Sequence, residues 1–338
     1  MESKILITVG PSSLKKDIIK DVEKENIYLF RINMSHTPID SIEATIAELQ
    51  GYTSSPICID SEGAQIRNQS MKSLSTNFEK NTVVKIHNEE IIGDSENISF
   101  HPSHVVKQLQ VGDLISVDFD SVVFRVIEKN KDYCLANVEI SGVVGNNKAA
   151  NFNRSIELDP ITKKDMKAIE IARDMGISNF ALSFANSSED VVKMRDLVGN
   201  QSKIISKIES RSGLRNLNGI LKLTDEVLID RGDLSREVDL VKIPFFQRRI
   251  ISTARSNNTP VYVATNLHES MIKNNIPTRA EINDVVSTLL MGANGLVLAA
   301  ETAIGNYPVE AVQSVRKLIT QFERWTPNTS IEELLQDN

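Results

Sequence analysis

The sequence predicts an α/β fold, a (β/α)8 TIM barrel with a small β-rich lid domain inserted after the third strand. Three observations carry that prediction. Short apolar runs alternate with longer helical patterns, the rhythm of parallel α/β folds. The rhythm yields eight strands, three before an interruption and five after it. Charged and polar residues recur where the strands end: Arg31, Asn33, Asp60, Lys207, Glu209, Asp233, Thr265 and Glu301. Barrels of this kind carry their chemistry at the strand C-terminal ends.

Each element follows from local pattern. The first strand is KILITVG, closed at Pro11. The helical SLKKDIIKDVEKE leads to the second, NIYLFRIN at 26–33, and SIEATIAELQ leads to the third, in SPICIDSEG at 55–63. From about Gln69 to Gly145 helical periodicity is weak, and short β-rich runs such as TVVKI, DLISVDF, VVFRVIEK and YCLANVEI take over. A surface loop tolerates such an insertion. The barrel rhythm resumes at TKKDMKAIEIARDMG, with strands at NFALSF (179–184), KIISKIE, EVLIDRGD (226–233), PVYVAT (260–265) and GLVLAAET (295–302). PVEAVQSVRKLITQFERW reads as the closing helix. The expected division is barrel at 1–68 and 152–325, inserted domain at 69–151, and a frayed tail at 326–338.

Composition narrows the class. The chain has 338 residues, 41% hydrophobic and 25% charged, with a net charge of -7. That balance argues against general nucleic-acid binding and leaves room for a local basic pocket for a phosphorylated metabolite. Two cysteines, Cys58 and Cys134, make neither a disulfide scaffold nor a thiolate zinc site, so a reducing, cytoplasmic setting is expected. No run of about 18 apolar residues spans a membrane, and the N-terminus does not read as a signal peptide.

Within IISKIES, Lys207 and Glu209 are either a structural ion pair or a pair facing a ligand. Strand alternation puts both on one side, and burying two charges without a function is costly. Arg31 interrupts an apolar strand in the same way. His268 is expected on a helix starting near Asn266, as a surface or interface histidine. His101 and His104 are spaced like metal ligands but lack an obvious third partner.

Eight stretches together resemble the pyruvate kinase family: TVGPSS (8–13), FRINMSH (30–36), IDSEGAQIR (59–67), IISKIES (204–210), RGDL (231–234), ATNLHESMI (264–272), PTRAEINDV (277–285) and AETAIGNYPVEAV (300–312). They lie in the family's order over about 300 residues. The resemblance implies a barrel with an inserted lid and phosphoryl transfer between phosphoenolpyruvate and ADP, giving pyruvate and ATP. It implies Mg²⁺ or Mn²⁺ as cofactor, held by Glu209 and Asp233. Lys207, Thr265 and Arg31 match catalytic positions: the phosphate-stabilising lysine, the threonine near the enolate methylene and a phosphate-binding arginine. Asn33, Ser35, Asp60 and Ser61 match the monovalent-cation shell. The backbone of Arg231, Gly232 and Asp233 matches the substrate-carboxylate site. His36, Arg67 and Lys148 match positions on the nucleotide and phosphate side.

The sequence also departs from the family pattern. Glu62, Ala64 and Gln65 replace a lysine, a proline and a glutamate, and the loss of that glutamate leaves a K⁺ requirement open. In VDFDS, Asp118 is kept while Phe119 and Asp120 replace an aspartate and a glycine. Asn186 and Ile304 stand where the family has basic residues, and Ser235 replaces a glycine. The family's C-terminal regulatory domain is not expected beyond the barrel, nor is control by sugar phosphates through it. A homo-oligomer is compatible with the resemblance, but the family's tetramer is not implied. Two enzymatic readings therefore stand. One is a compact pyruvate-kinase-like phosphotransferase. The other keeps the metal–enolate corner for a lyase, an aldolase or a transfer to a non-nucleotide partner. A non-catalytic binding protein is the weaker third reading.

Overall fold

The computed structural model describes residues 3–63, 65–118, 120–154 and 156–335. Ala64 and Phe119, two of the departures named above, lie outside the described residues. Eight parallel strands close into a barrel. They are β1 (Lys4–Thr8), β2 (Ile27–Asn33), β3 (Ile57–Asp60), β4 (Asn179–Leu182), β5 (Lys203–Ile208), β6 (Glu226–Asp230), β7 (Val261–Ala264) and β8 (Gly295–Leu298). Each strand pairs with its sequence neighbours, and β8 closes on β1 with Lys4 opposite Gly295. The three-plus-five strand count and the β-rich insert after β3 are as the sequence predicts.

The strands read as nearly continuous apolar runs because both faces are covered. Outward residues such as Ile5, Phe30, Phe180, Ile204 and Val263 pack in one large core with the helices. Those helices include Lys16–Glu23, Ile42–Tyr52, Lys163–Asp174, Ser188–Val198, Ile243–Ser256, Arg279–Leu290 and Pro308–Arg324. Inward residues form a separate cluster to which every strand contributes: Leu6, Leu29, Cys58, Ala181, Ile205, Leu228, Tyr262 and Val297, with Ala264 as a second member from β7. This layer fills the barrel, so its interior is a packed core and not a pore. Below it, the Glu226 carboxylate accepts from the Tyr28 hydroxyl at 2.8 Å and from Lys203 at 3.3 Å.

Helix starts are set by short polar signals. Thr162 with Asp165, Ser187 with Asp190, and Thr278 with Glu281 form reciprocal capping boxes. Asp165 also accepts from the Glu62 and Gly63 amides at 2.7 and 3.1 Å, which fixes the chain just beyond β3. Where the sequence suggests a frayed tail, Ile331–Leu334 form one turn capped by Ser330. Among the described residues, no helix is long and apolar enough to cross a membrane.

The chain divides into two compact units, Met1–Gly63 with Pro160–Asn338, and Ala64–Asp159. The second unit holds a seven-stranded sheet and a two-stranded one. Its core is its own, with Phe78 and Phe124 edge to face at 5.2 Å and Phe100, Val105 and Ile115 fully buried. Its one helix among the described residues is the short His104–Gln108.

Candidate active site

Inward-facing side chains recur every second residue along a strand. Two residues beyond the apolar layer, the same count reaches Thr8, Arg31, Asp60, Ser183, Lys207 and Asp230. The barrel interior therefore changes from apolar to ionic in a single step. All of these residues are buried except Asp230, which is partly exposed.

Lys207 is the hub. Its Nζ lies 3.3 Å from Glu209 Oε2, 3.4 Å from Asp60 Oδ2 and 3.8 Å from Asp230 Oδ2, and it donates to Ser183 Oγ at 3.0 Å. Burial works against its charge, but Asp60, Glu209 and Asp230 outweigh burial and hold its pKa above the ordinary lysine value. Arg31 forms a buried ion pair with Asp60, donating from Nε at 2.6 Å, and its Nη1 donates to Thr8 Oγ1 at 2.8 Å.

Glu209 follows β5 directly. The Phe184 amide donates to its Oε1 at 2.7 Å, from a backbone held at φ 50°. Its Oε2 is buried and accepts no hydrogen bond. Burial pushes the Glu209 carboxyl up to about 8; Lys207 opposes this, and Asp233 and Asp230 add to it. Asp233 is also raised, by burial first and then by Asp230. Asp230 moves the other way, because Lys207 and Arg31 overcome its burial.

Asp233 is not at a strand end, as the sequence suggests. β6 stops at Asp230, and Asp233 lies in the first turn of the helix Arg231–Glu237. One ligand oxygen from each of Glu209, Asp230 and Asp233 lies within 4.8 Å of the others, the one such acidic or His/Cys group among the described residues. Three hard carboxylates, with Glu209 Oε2 buried, outside any hydrogen bond and faced by the Lys207 ammonium, could hold a divalent cation.

Thr265 directly follows β7 at φ 75°, a costly conformation for a β-branched residue, and Asn266 comes next at φ 56°. The strain aims the threonine hydroxyl at the site, where it donates to Asp230 Oδ1 at 2.7 Å. The Thr265 carbonyl accepts from Arg231 Nε at 3.0 Å, and Arg231 Nη1 reaches Asp284 at 2.7 Å. The Arg231 side chain is therefore engaged by β7 and the helix Arg279–Leu290. The amides of Gly232 and Asp233 donate to Asp230 Oδ1 at 3.2 and 3.5 Å.

The remaining predicted positions are more dispersed. Asn33 Oδ1 accepts from the Ser35 amide at 2.9 Å, and Ser61 Oγ accepts from the Ser183 amide at 2.9 Å. Asp60 between them already faces two protein cations. His36 is exposed. Arg67 and Lys148 belong to the second unit. There Arg67 bonds Gln65 Oε1 and the Asn147 carbonyl, and Lys148 lies 3.3 Å from Asp118. Asn186 is held at a helix start by Ser210 and Asp190. His268 corrects the sequence reading: it is fully buried, not at the surface, and its amide donates to Glu301. Glu281 caps its own helix and bonds Ser270.

Two site residues escape the sequence reading, Asp230 and Ser183. Both were within reach of the two-residue period, being the second residue after Leu228 and Ala181.

Fold and site together define a (β/α)8 barrel whose C-terminal mouth carries an acidic cluster, a candidate cation site, around a buried lysine. The comparisons with known proteins agree. The family model described as "Pyruvate kinase, barrel domain" matches residues 1–312. The chain is 30% identical over 331 residues to the pyruvate kinase of Thermotoga maritima, covering 95% of this chain and 71% of that protein. It is 34% identical over 328 residues to that of Thermoplasma acidophilum, covering 96% of this chain and 58% of that protein. The crystal structure of a pyruvate kinase from Cryptosporidium parvum superposes with a TM-score of 0.87 at 29% identity, over 96% of this chain and 70% of that one. The chain belongs to the pyruvate kinase family.

Proposed function

We propose that the chain catalyses metal-dependent phosphoryl transfer between phosphoenolpyruvate and ADP, giving pyruvate and ATP, with Mg²⁺ or Mn²⁺ as cofactor. One observation carries this reading: Glu209, Asp230 and Asp233 converge beside the buried ammonium of Lys207. Glu209 and Asp233 would hold the cation, which supplies positive charge to phosphoryl and enolate oxygens when bound.

Lys207 remains charged because three carboxylates face it, so it can neutralise charge on the transferring group and on the enolate oxygen. The phosphorus–oxygen bond to the enol breaks, a bond to the ADP terminal oxygen forms, and the enolate takes a proton at its methylene carbon. Thr265, strained towards the site, would stand near that carbon, and Arg31 near the phosphate. Arg231, Gly232 and Asp233 would receive the substrate carboxylate through their backbone. His36, Arg67 and Lys148 would serve the nucleotide side. Asn33, Ser35, Asp60 and Ser61 would offer a monovalent-cation shell, although Asp60 already serves Arg31 and Lys207. Chemistry on these metabolites would fit a cytoplasmic setting.

A second reading has its own support. Asp230 already occupies the Gly232 and Asp233 amides, which favours an enolate chemistry with a different partner, such as a lyase, an aldolase or a transfer to a non-nucleotide acceptor. Pyruvate release from phosphoenolpyruvate with Mg²⁺ or Mn²⁺, with and without ADP and K⁺, separates the two. ADP-dependent release at about 1 s⁻¹ or faster supports phosphoryl transfer. Absent or ADP-independent release sinks it.

A further inference from the structure

We infer that Asp230 is a specificity-determining residue: a resident carboxylate that competes with the carboxylate of a 2-oxo-acid or enol-acid substrate. The inference rests on the metal-dependent reading above and deepens it.

The two oxygens of Asp230 have different jobs. Oδ1 accepts from the Thr265 hydroxyl at 2.7 Å and from the amides of Gly232 and Asp233 at 3.2 and 3.5 Å. Oδ2 faces Lys207 at 3.8 Å. The same side chain contributes an oxygen to the group with Glu209 and Asp233. A small acid chelating a cation at this cluster would present its carboxylate in the same manner, with one oxygen on backbone donors and the other towards the positive centre.

Two further features show that the position is built. Thr265 holds φ 75°, which puts its hydroxyl on Oδ1. Gly232 leaves little room there, since a Cβ on it would meet Thr265 Cγ2 at 2.9 Å and Asp230 Oδ1 at 3.4 Å. Independently of these tethers, Glu209 Oε2 is buried outside any hydrogen bond, with only the Lys207 ammonium facing it at 3.3 Å among the described ion pairs, which leaves it open to a ligand. A second carboxylate arriving there meets a negative charge that already uses the donors. It must displace Asp230 or bind beside a like charge, and either course weakens its affinity.

Calorimetry tests the inference with Mn²⁺ and oxalate, a rigid dicarboxylate that mimics an enolate acid. Mn²⁺ is titrated into the wild-type chain and into Asp230→Ala, and oxalate is then titrated into each Mn²⁺-saturated protein. The expected result is a weaker Mn²⁺ site in the variant, because one negative charge of the acidic group is gone, together with oxalate affinity at least about tenfold tighter. Mn²⁺ binding to both proteins with unchanged or weaker oxalate affinity in the variant overturns the inference and leaves the metal reading standing. No Mn²⁺ binding to the wild type overturns both. If Asp230→Ala does not fold, Asp230→Asn keeps the shape and an acceptor for the amides while removing the charge. In it oxalate should bind at least about threefold tighter, and unchanged affinity overturns the inference.

Discussion

Truncating Lys207 to alanine removes one buried ammonium and leaves three carboxylates facing each other. The distances are 3.4 Å to Asp60, 3.3 Å to Glu209 and 3.8 Å to Asp230, and among the described residues no other lysine or arginine forms an ion pair with Glu209 or Asp230. Breaking a buried pair by removing one partner costs about 3–5 kcal/mol. That is a large share of the roughly 5–15 kcal/mol that holds a domain folded. The cost depends on pH in a definite direction. Lys207, with Arg31, holds the Asp230 carboxyl below its ordinary value against its burial, and losing Lys207 lets burial and the neighbouring carboxylates raise it. A carboxyl whose folded pKa exceeds its unfolded value destabilises the fold increasingly as pH rises from the unfolded pKa towards the folded one. Lys207→Ala should therefore lose about 3–5 kcal/mol near pH 8 and distinctly less near pH 5.5, where the carboxyls protonate. Urea unfolding of wild type and variant at both pH values, followed by circular dichroism, measures it. Turnover should fall with it by at least about 10³-fold. A loss below about 1 kcal/mol that is the same at both pH values would refute the electrostatic reasoning.

Other outcomes follow from the same geometry. Glu209→Gln should weaken Mn²⁺ binding by about 100-fold or more, seen as free Mn²⁺ in electron paramagnetic resonance, while the far-ultraviolet spectrum stays native. For wild type, Mn²⁺ affinity should rise by up to about tenfold per pH unit below the Glu209 value of about 8 and level off above it, because the proton must leave before the cation binds. A flat profile between pH 6 and 9 contradicts that coupling. Thr265→Gly should be more stable than Thr265→Ala by about 1 kcal/mol in urea, since both lose the hydroxyl but only glycine accepts φ 75° without strain.

The barrel was legible because its signals are local and repeated. Apolar strands, capping residues such as Thr278 with Glu281, and the five-strand return after the insert all lie within short windows of sequence. Lys207 and Glu209 were legible because charges in an apolar strand are conspicuous. Asp230 was not, because it abuts a turn, where an aspartate ordinarily reads as a cap, and it does cap the helix Arg231–Glu237. Its second role depends on β5 and β7 bringing Lys207 and Thr265 to it, and no local window contains that. His268 was misread for a related reason. Polar neighbours in sequence gave it a surface look, while burial came from elements distant along the chain. The partners of Arg31 also needed the closed barrel, because Thr8 and Asp60 come from the strands on either side.

The central claim is that the barrel mouth holds a divalent cation on Glu209 and Asp233, with Asp230 beside them. Crystals soaked in Mn²⁺ and measured at a wavelength where manganese scatters anomalously test it most directly. The account predicts one strong anomalous peak at the barrel mouth, with carboxylate oxygens of Glu209 and Asp233 at about 2.1–2.2 Å. A barrel mouth without a peak, or with manganese bound only at surface carboxylates, would contradict it.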